Sequence, residues 1–208
     1  MKPRTMANTL PIDAAPTKAE RTRARILDVA QRDASLAGVD SLTIGGLAQS
    51  CGLSKSGLIA HFGSKEALQL AVIDATAMRF IKEVAEPAFA VEPGRERLVA
   101  IMEHWIAWSQ HPDRPGGCQL IAATFDFDGL ESEVRTGLQG WIAQWRAAIT
   151  GAAQEAAAAA EISLDPDRVA TLAFGIYVAQ HIERFLLGDE AAATRALDIW
   201  RHELQSPT

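Results

Sequence analysis

The chain has 208 residues, 48% of them apolar in type, and a formal net charge of −6 at pH 7. A chain of this size and apolar content can bury a core of its own, and its charge excludes a protein covered on all sides by nucleic-acid contacts. No apolar run is long enough to cross a bilayer, and residues 1–20 lack the apolar stretch of a secretory signal. We therefore expect a cytoplasmic protein without a membrane partner.

The charge is unevenly distributed along the chain. Up to Phe80 there are ten Lys and Arg against seven Asp and Glu, whereas the remainder has ten against nineteen. The first part therefore carries +3 and suits a phosphate backbone, while the second carries −9 and would repel it. The two cysteines, Cys51 and Cys118, have no metal-binding spacing. Neither a disulfide framework nor a metal site is expected, and no cofactor is predicted.

Four helices are predicted in the first part of the chain. Residues 1–17, with three prolines and few apolar side chains, are interpreted as a mobile arm. Apolar residues at spacings of three and four then predict a first helix that ends at Gly38. Three further starts are marked by hydroxyl residues that favour the N-cap position. The caps and the helices that follow them are Thr43 with a helix through Ser50, Ser54 with a helix to His61, and Ser64 with a helix to about Ala85, before Pro87.

Five more helices are predicted after the Pro- and Gly-containing linker 91–94. They span about 95–110, 118–125, 130–160, 166–187 and 190–204. Asp165–Pro166 predicts a capped start with proline at the first helical position. No alternating pattern of strand length is present, so the predicted fold is all-α with about nine helices.

The segment from Thr43 to Phe62 has the size and turn of a helix-turn-helix, whose second helix enters the major groove of DNA. Small residues at the start of that helix, Ser54, Ser56 and Gly57, would let backbone amides approach phosphates. Lys55 and Lys65 would each release a counterion from the DNA.

These residues lie in the stretch LTIGGLAQSCGLSKSGLIAHFGSKEAL, residues 42–68, which resembles the DNA-binding module of TetR-family transcriptional regulators. The resemblance covers about residues 19–70. It implies an all-helical homodimer that binds a palindromic double-stranded DNA operator, usually as a repressor, and holds a small-molecule effector in its C-terminal part. The predicted domains are a helix-turn-helix domain over 18–66 and a ligand-binding and dimerisation domain over 67–208.

The resemblance also implies roles for individual residues. Thr43 would cap the second helix and touch phosphate, Lys55 would meet the backbone or a base edge, and Lys65 would clamp the strand. The full set of expected DNA contacts is Thr43, Ser54, Lys55, Ser56, Gly57, Ile59, His61 and Lys65. Two alternatives stay open, because Ile59 could contact a thymine methyl or be buried, and His61 could contact phosphate or pack.

The sequence departs from the family pattern at several of these positions. Gly45 and Gly46 replace charged or larger residues, Gly57 replaces Thr or Ser, and Ile59 replaces Tyr. Each glycine inside a helix costs about 1 kcal/mol relative to alanine, so the second helix depends on its packing.

The helix 166–187 has two apolar faces and must therefore be covered on both sides. The resemblance implies that the last two helices of each chain form a four-helix dimer interface. The residues expected there are Val169, Leu172, Ile176, Leu197 and Trp200. Dimerisation would set the two recognition helices about 34 Å apart, as a palindrome requires.

Aromatic side chains in the C-terminal part could line a cavity for a largely apolar effector. The candidates are Trp105, Trp108, Cys118, Phe125, Trp141, Trp145, Phe174, Tyr177 and His181, of which Cys118 and His181 are possible polar contacts, together with Glu103 and His104. The alternative for each is ordinary core packing. Cys118 could instead sense redox state, although no neighbouring base favours a thiolate and burial is the preferred interpretation.

Two other functions compete with a ligand-controlled repressor. One is a DNA-binding regulator without small-molecule control. The other is an all-helical enzyme, for which His104 with Cys118 or Asp126 with His181 could form a dyad. No phosphate loop, metal spacing or triad order supports it, so no catalytic residue is predicted.

Overall fold

A computed structural model describes residues 17–129 and 131–205. Within these ranges the chain is helical and contains no strand. The helices are α1 (Lys18–Ala37), α2 (Ile44–Ser50), α3 (Lys55–Phe62), α4 (Lys65–Phe80), α5 (Glu86–Phe89), α6 (Arg95–Ser109), α7 (Gln119–Phe127), α8 (Glu133–Ala158), α9 (Pro166–Phe185) and α10 (Ala192–Glu203). None of the helices in the described part is long and apolar enough to cross a membrane.

A π-helical segment, Ile81–Ala85, joins α4 to α5 without a break. If these three pieces are taken as one rod, the described ranges contain nine rods, which confirms the predicted all-α fold. The rod differs from prediction at its end, because it continues past Pro87 to Phe89. Pro87 is tolerated there because it stands in the first turn of α5, directly after the wider π turn, where a missing backbone N–H costs little.

The predicted helix starts are confirmed by their capping hydrogen bonds. The hydroxyl oxygens of Thr43, Ser54 and Ser64 each accept a backbone N–H three residues later, at 3.0 Å. Asp165 accepts from two backbone amides at the start of α9, and Pro166 follows it at the first helical position. Local sequence chemistry therefore determines where these helices begin.

One continuous apolar core runs through the chain. At its N-terminal end, α1, α2, α3 and α4 pack together around Ile26, Leu47 and Leu58. The α8 helix then packs between α4 and α9, and α10 lies against α9 and α6. The rod that contains α4 thus passes from the N-terminal group of helices into the C-terminal group.

The segment between α6 and α7 makes a second connection between these groups. The backbone of Gly116 lies against the carbonyl oxygen of Ser35 in α1. Gln119, the first residue of α7, donates from its side chain to the carbonyl oxygen of Gln31 in α1 at 2.8 Å. A movement of this segment would therefore act directly on α1.

The predicted arm, residues 1–17, lies outside the described residues except for Thr17, which forms a capping box with Glu20 at the start of α1. The predicted boundary between residues 66 and 67 falls within α4. The division into two domains stays a prediction.

Candidate nucleic-acid interface and ligand cavity

The α3 helix has one side buried in the core and one side exposed to solvent. Leu58 and Phe62 are buried in the core, whereas Lys55 and Ser56 are exposed. Ile59 is 45% exposed, so the alternative in which it is buried is wrong. An exposed face of this kind, carrying a lysine, a hydroxyl and an apolar side chain, offers the groups that contact phosphates and base edges in a major groove.

Gly45 provides space for the side chain of Lys55. A Cβ atom at position 45 would lie 3.0 Å from Cε of Lys55 and 3.5 Å from its Nζ. The lysine therefore extends across the surface of α2, and the glycine, which is unfavourable in a helix, permits this close approach. The departure from the family pattern at position 45 thus has a local structural consequence.

The hydroxyls of the two short helices are partly occupied by capping. The Thr43 hydroxyl accepts from the Gly46 amide and the Ser54 hydroxyl accepts from the Gly57 amide, both at 3.0 Å. The Ser56 hydroxyl lies 3.1 Å from that of Ser54. These exposed caps hold the start of α3 in place, and DNA contacts by Thr43, Ser54, Ser56 and Gly57 stay predictions.

Lys65 and His61 have partners within the protein. The Lys65 ammonium donates to the Asp40 carbonyl oxygen at 2.7 Å and lies 3.4 Å from the Asp40 carboxylate. A phosphate contact by Lys65 would therefore compete with Asp40. The half-buried His61 packs beside Phe62, and its carbonyl oxygen accepts from Arg23, whose guanidinium lies over the Phe62 ring. The choice between packing and phosphate contact for His61 stays open.

An apolar cavity of about 330 Å³ lies between the α4–α5 rod and helices α6, α7 and α8. Its walls are almost entirely hydrocarbon and aromatic, with Glu86 and Gln144 as the polar residues. The lining residues are Ala77, Phe80, Ile81, Ala85, Glu86, Phe89, Trp105, Cys118, Leu120, Ile121, Trp141, Ile142, Gln144, Trp145 and Ala148. A cavity of this size and character can hold a small apolar molecule.

Four of the nine predicted ligand residues line this cavity: Trp105, Cys118, Trp141 and Trp145. Trp141 is held by a hydrogen bond of 2.9 Å from its indole nitrogen to the Asp74 carboxylate. Cys118 is buried, which raises the pKa of its thiol and keeps it neutral. Its predicted burial is confirmed.

The sequence analysis did not predict that the α4–α5 rod forms one wall of the apolar cavity. Phe80 meets three tryptophan rings edge-on: Trp105, Trp108 and Trp145, with centroid distances of 6.2, 5.6 and 4.9 Å. Ile81 and Ala85 of the π segment line the cavity beside it. Phe80, a large aromatic residue within the predicted fourth helix, was the available signal, but periodicity alone did not reveal which neighbour it would face.

Two family models match the chain. Residues 26–72, which contain the exposed α3 face, match the model described as bacterial regulatory proteins of the tetR family. Residues 94–200, more than half of the 208 residues, match the tetracyclin repressor-like C-terminal domain. The chain belongs to the TetR family of transcriptional regulators. TetR-family proteins are DNA-binding regulators and not enzymes, so the enzymatic alternative is set aside.

Solved TetR-family structures share this fold. A TetR transcriptional regulator from Chloroflexus aurantiacus is 24% identical, with a TM-score of 0.80 over 89% of this chain and 94% of that one. AibR, in complex with isovaleryl coenzyme A and operator DNA, is 20% identical, with a TM-score of 0.72 over 90% of this chain and 100% of that one. A TetR-family regulator from Cytophaga hutchinsonii is 17% identical, with a TM-score of 0.78 over 92% and 96%. None of the curated proteins compared with the chain is significantly similar to it.

Five predicted ligand residues of this TetR-family chain do not line the apolar cavity. Phe125 is 64% exposed, because it falls on the outer side of α7. Tyr177 and Phe174 lie behind Trp105, with centroid distances of 4.1 and 5.1 Å. His181 packs beside Tyr177 and Phe185, and Trp108 lines a separate polar cleft.

The prediction that Val169 and Trp200 lie in the dimer interface is wrong. Val169 is buried inside its own chain, and so is Trp200, whose indole nitrogen donates to the Leu98 carbonyl oxygen at 2.8 Å. A helix with two apolar faces does not reveal which face its own core covers. Leu172, Ile176 and Leu197 are half-buried, and their place in an interface stays a prediction.

Proposed function

We propose that this TetR-family protein is a homodimeric repressor that a small, largely apolar molecule releases from a palindromic operator. The observation that carries the proposal is the rod formed by α4, the π segment and α5. Its first residue, Lys65, stands three residues after the end of α3, whereas Phe80, Ile81 and Phe89 line the apolar cavity. A molecule in that cavity therefore contacts the same continuous element that supports the DNA-binding face.

The proposed effector is apolar because the cavity has few polar groups to satisfy. Its volume of about 330 Å³ lies at the small end of the range for ligand sites. The π segment supports a role in binding, since π-helical turns occur often at functional sites. A structural relative, AibR, was solved in complex with isovaleryl coenzyme A and operator DNA, so a protein of this fold binds both a small molecule and DNA.

The proposed coupling between effector and DNA has two physical routes. One is the rod itself. The other is the segment between α6 and α7, since Cys118 lines the cavity and Gly116 lies on the backbone of α1. An effector that favours one packing of these elements would change the separation of the two α3 helices in the dimer. Coupling of about 1–3 kcal/mol is typical for such linked sites.

The proposed dimer surface is formed by the ends of α9 and α10. Ile182, Leu186, Leu187 and Ile199 are exposed there, and Leu186 reaches 78%. Leu186 and Leu187 are adjacent in the sequence, and large exposed apolar patches favour burial against another protein surface. In the TetR family the last two helices form such an interface, so a second copy of the chain is the proposed occupant.

The proposal is tested by filling the cavity while leaving the DNA-binding face unchanged. Ala148 lines the cavity, whereas its neighbour Ala147 is exposed on α8. We would measure binding to DNA from the region upstream of the protein's own gene by fluorescence anisotropy, with a panel of short straight and branched acyl and alkyl compounds as probes. Ala148→Phe should bind DNA like the wild type but lose release by any active probe, and Ala147→Phe should respond normally.

The outcomes separate the parts of the proposal. Equal release of Ala148→Phe and wild type would show that the effector binds elsewhere. DNA affinity that no probe changes would favour a regulator without small-molecule control. A reporter gene placed behind the operator would establish the sign of regulation, since repression predicts higher expression when the protein is absent.

A further inference from the structure

The loop between α1 and α2 carries an acid next to an expected DNA contact. Asp40 in this loop lies against Lys65, the first residue of α4. The Lys65 ammonium donates to the Asp40 carbonyl oxygen at 2.7 Å and lies 3.4 Å from the Asp40 carboxylate. Because Lys65 is expected to contact a DNA phosphate, a negative charge fixed at this point opposes that contact.

Asp40 is held in place by contacts other than the one with Lys65. The side-chain amide of the buried Gln69 donates to the Val39 carbonyl oxygen at 3.1 Å. The same nitrogen lies 3.4 Å from the carbonyl oxygen of Asp40 and 3.3 Å from its carboxylate. These contacts do not need the ammonium group, so the Asp40 carboxylate would keep its position when Lys65 turned towards DNA.

A second acid lies beside Asp40. Asp126, near the end of α7, approaches the loop so closely that a Cβ atom at Gly38 would stand 3.0 Å from its Oδ2. Burial, together with the nearby Asp40 carboxylate, raises the pKa of Asp126. In the part of the chain that the structure describes, Lys65 is the only cation that forms an ion pair with either acid. Two negative charges and one positive charge therefore meet at this part of the surface, which disfavours an approaching phosphate.

The ion pair between Lys65 and Asp40 is weak enough for DNA to displace it. The two side chains are 45% and 60% exposed, and solvent screens an exposed pair of this kind. Asp40 therefore does not block Lys65, but it lowers the gain when the lysine moves to a phosphate. The next acid along α4, Glu66, has another partner, because its carboxylate accepts from the backbone N–H of Glu133 at 3.0 Å.

We propose that Asp40 sets the affinity of the protein for DNA, because it holds the Lys65 ammonium against its own carboxylate in competition with a DNA phosphate. This role rests on the proposed binding of DNA, through the phosphate contact expected of Lys65. It depends neither on an effector nor on the sign of regulation. Replacing the carboxylate by a neutral amide should strengthen DNA binding, which is the opposite of what the loss of a merely structural residue would do.

Binding to a DNA duplex of random sequence tests this role, because phosphate contacts do not depend on base sequence. Fluorescence anisotropy would compare the full-length wild type with Asp40→Asn at several salt concentrations. Asp40→Asn should bind roughly three- to tenfold more tightly at low salt, because two exposed ion pairs per dimer no longer retain a lysine. The slope of log K against log salt should also become steeper, because Lys65 is then fully available to phosphate.

A double-mutant cycle assigns the effect to Lys65. Lys65→Met removes the ammonium group, so it should weaken binding and reduce the magnitude of the salt slope by about 1.8 for a dimer that loses two contacts. In this background Asp40→Asn should strengthen binding by at most about twofold, because no lysine remains to be released.

Two further variants are the controls. Asp40→Glu keeps the carboxylate and should bind DNA like the wild type. Asp128→Asn removes one negative charge at the exposed end of α7, where no ion pair with Lys65 forms among the described residues, and it should also bind like the wild type. Thermal unfolding would verify that each variant is folded.

The role of Asp40 is rejected if Asp40→Asn binds DNA no more tightly than the wild type. Equal gains with and without Lys65 would show that Asp40 repels DNA directly, and an equal gain for Asp128→Asn would show a general effect of net charge. Either result rejects competition for Lys65, as would wild-type affinity and salt slope in Lys65→Met.

Failure of the proposed function gives different results. If the wild type bound no duplex at low salt, the proposed DNA binding would be rejected, and the role of Asp40 with it. If every probe failed to release the protein from DNA, the proposed effector would be rejected while the effects of Asp40→Asn and Lys65→Met stayed the same.

Discussion

The backbone of Gly116 lies so close to Ser35 that a Cβ atom at position 116 would stand 1.5 Å from the Ser35 carbonyl oxygen. The neighbour is rigid helix backbone, so no side chain can move aside to make room. Only glycine permits this contact between the α6–α7 segment and α1.

Gly116→Ala should therefore push the segment away from α1. The expected cost is about 1–3 kcal/mol of unfolding free energy, as for other overpacked sites, together with weaker release by an effector. Thermal unfolding and DNA anisotropy measure the two effects. Gly140→Ala in α8 is the control, because a Cβ there meets nothing within 4 Å, and it should leave stability unchanged or raise it by up to about 1 kcal/mol. If Gly116→Ala were as stable as Gly140→Ala, the backbone of Gly116 would not lie in close contact with Ser35.

Removal of Lys55 should reduce the salt dependence of DNA binding. Each phosphate contact contributes about −0.9 to the slope of log K against log salt, so a dimer that loses two contacts should lose about 1.8 from the magnitude of its slope. Anisotropy at several salt concentrations measures this for Lys55→Ala. Lys82→Ala, an exposed lysine in the π segment, should retain the wild-type slope. An unchanged slope for Lys55→Ala would mean that Lys55 does not contact phosphate.

Charges on the proposed dimer surface should separate the two copies. Leu186 and Leu187 are both exposed at the end of α9. If each is buried in the dimer, a charged replacement forfeits about 1.5–3 kcal/mol per side chain, and Leu187→Glu should weaken dimerisation by roughly a hundredfold or more. Analytical ultracentrifugation measures the association, with Leu36→Glu on α1 as an exposed control. Equal association of the two variants would move the interface elsewhere.

His181 should make the protein less stable in acid. Burial lowers the pKa of its imidazole below the ordinary value of 6.5, so the unfolded chain takes up a proton at a higher pH than the folded one. The stability that neutral His181 contributes to the folded state is thus fully present above pH 6.5. It is lost as the pH falls from 6.5 through the pKa of His181 in the folded protein. The melting temperature of His181→Gln should fall less between pH 7 and pH 5 than that of the wild type. Parallel pH profiles would show that His181 does not titrate between the two states.

Cys118 should react slowly with iodoacetamide in the native protein. Its thiol is buried and the raised pKa leaves little thiolate at neutral pH, whereas the unfolded chain exposes an ordinary cysteine. Mass spectrometry of tryptic peptides after timed alkylation compares the two states. Native labelling as fast as in denaturant would support the alternative in which Cys118 senses redox state or electrophiles.

The helix starts and the exposed side of α3 follow from local chemistry, and the sequence predicts them well. Thr43, Ser54 and Ser64 each bond to an amide three residues later, and such bonds need no information from the rest of the fold. The resemblance to the TetR family adds expected DNA contacts for Lys55 and Lys65, which stay predictions. It does not predict that Asp40 already engages the Lys65 ammonium, because that contact joins residues 25 apart in the sequence.

The C-terminal site is less predictable for a physical reason. Apolar periodicity identifies helices that need cover on two sides, but it does not assign each side to a neighbour. Trp200 satisfies the dimer pattern, yet its indole nitrogen bonds to Leu98 within the same chain. Phe125 and Phe80 look alike in the sequence, but one is exposed and the other lines the cavity.

The number of residues in the π segment also determines the direction in which the side chains of α5 point. Each residue of an α-helix turns the surface by about 100°, so the register of α5 relative to α4 depends on how many residues the wide turn contains. Phe80 and Phe89 face the same cavity from either side of that turn. Deletion of one residue between them, such as Lys82, would turn Phe89 away while leaving every helix of the DNA-binding face intact. The length of the π segment thus sets the rotation that lets Phe80 and Phe89 face the same cavity.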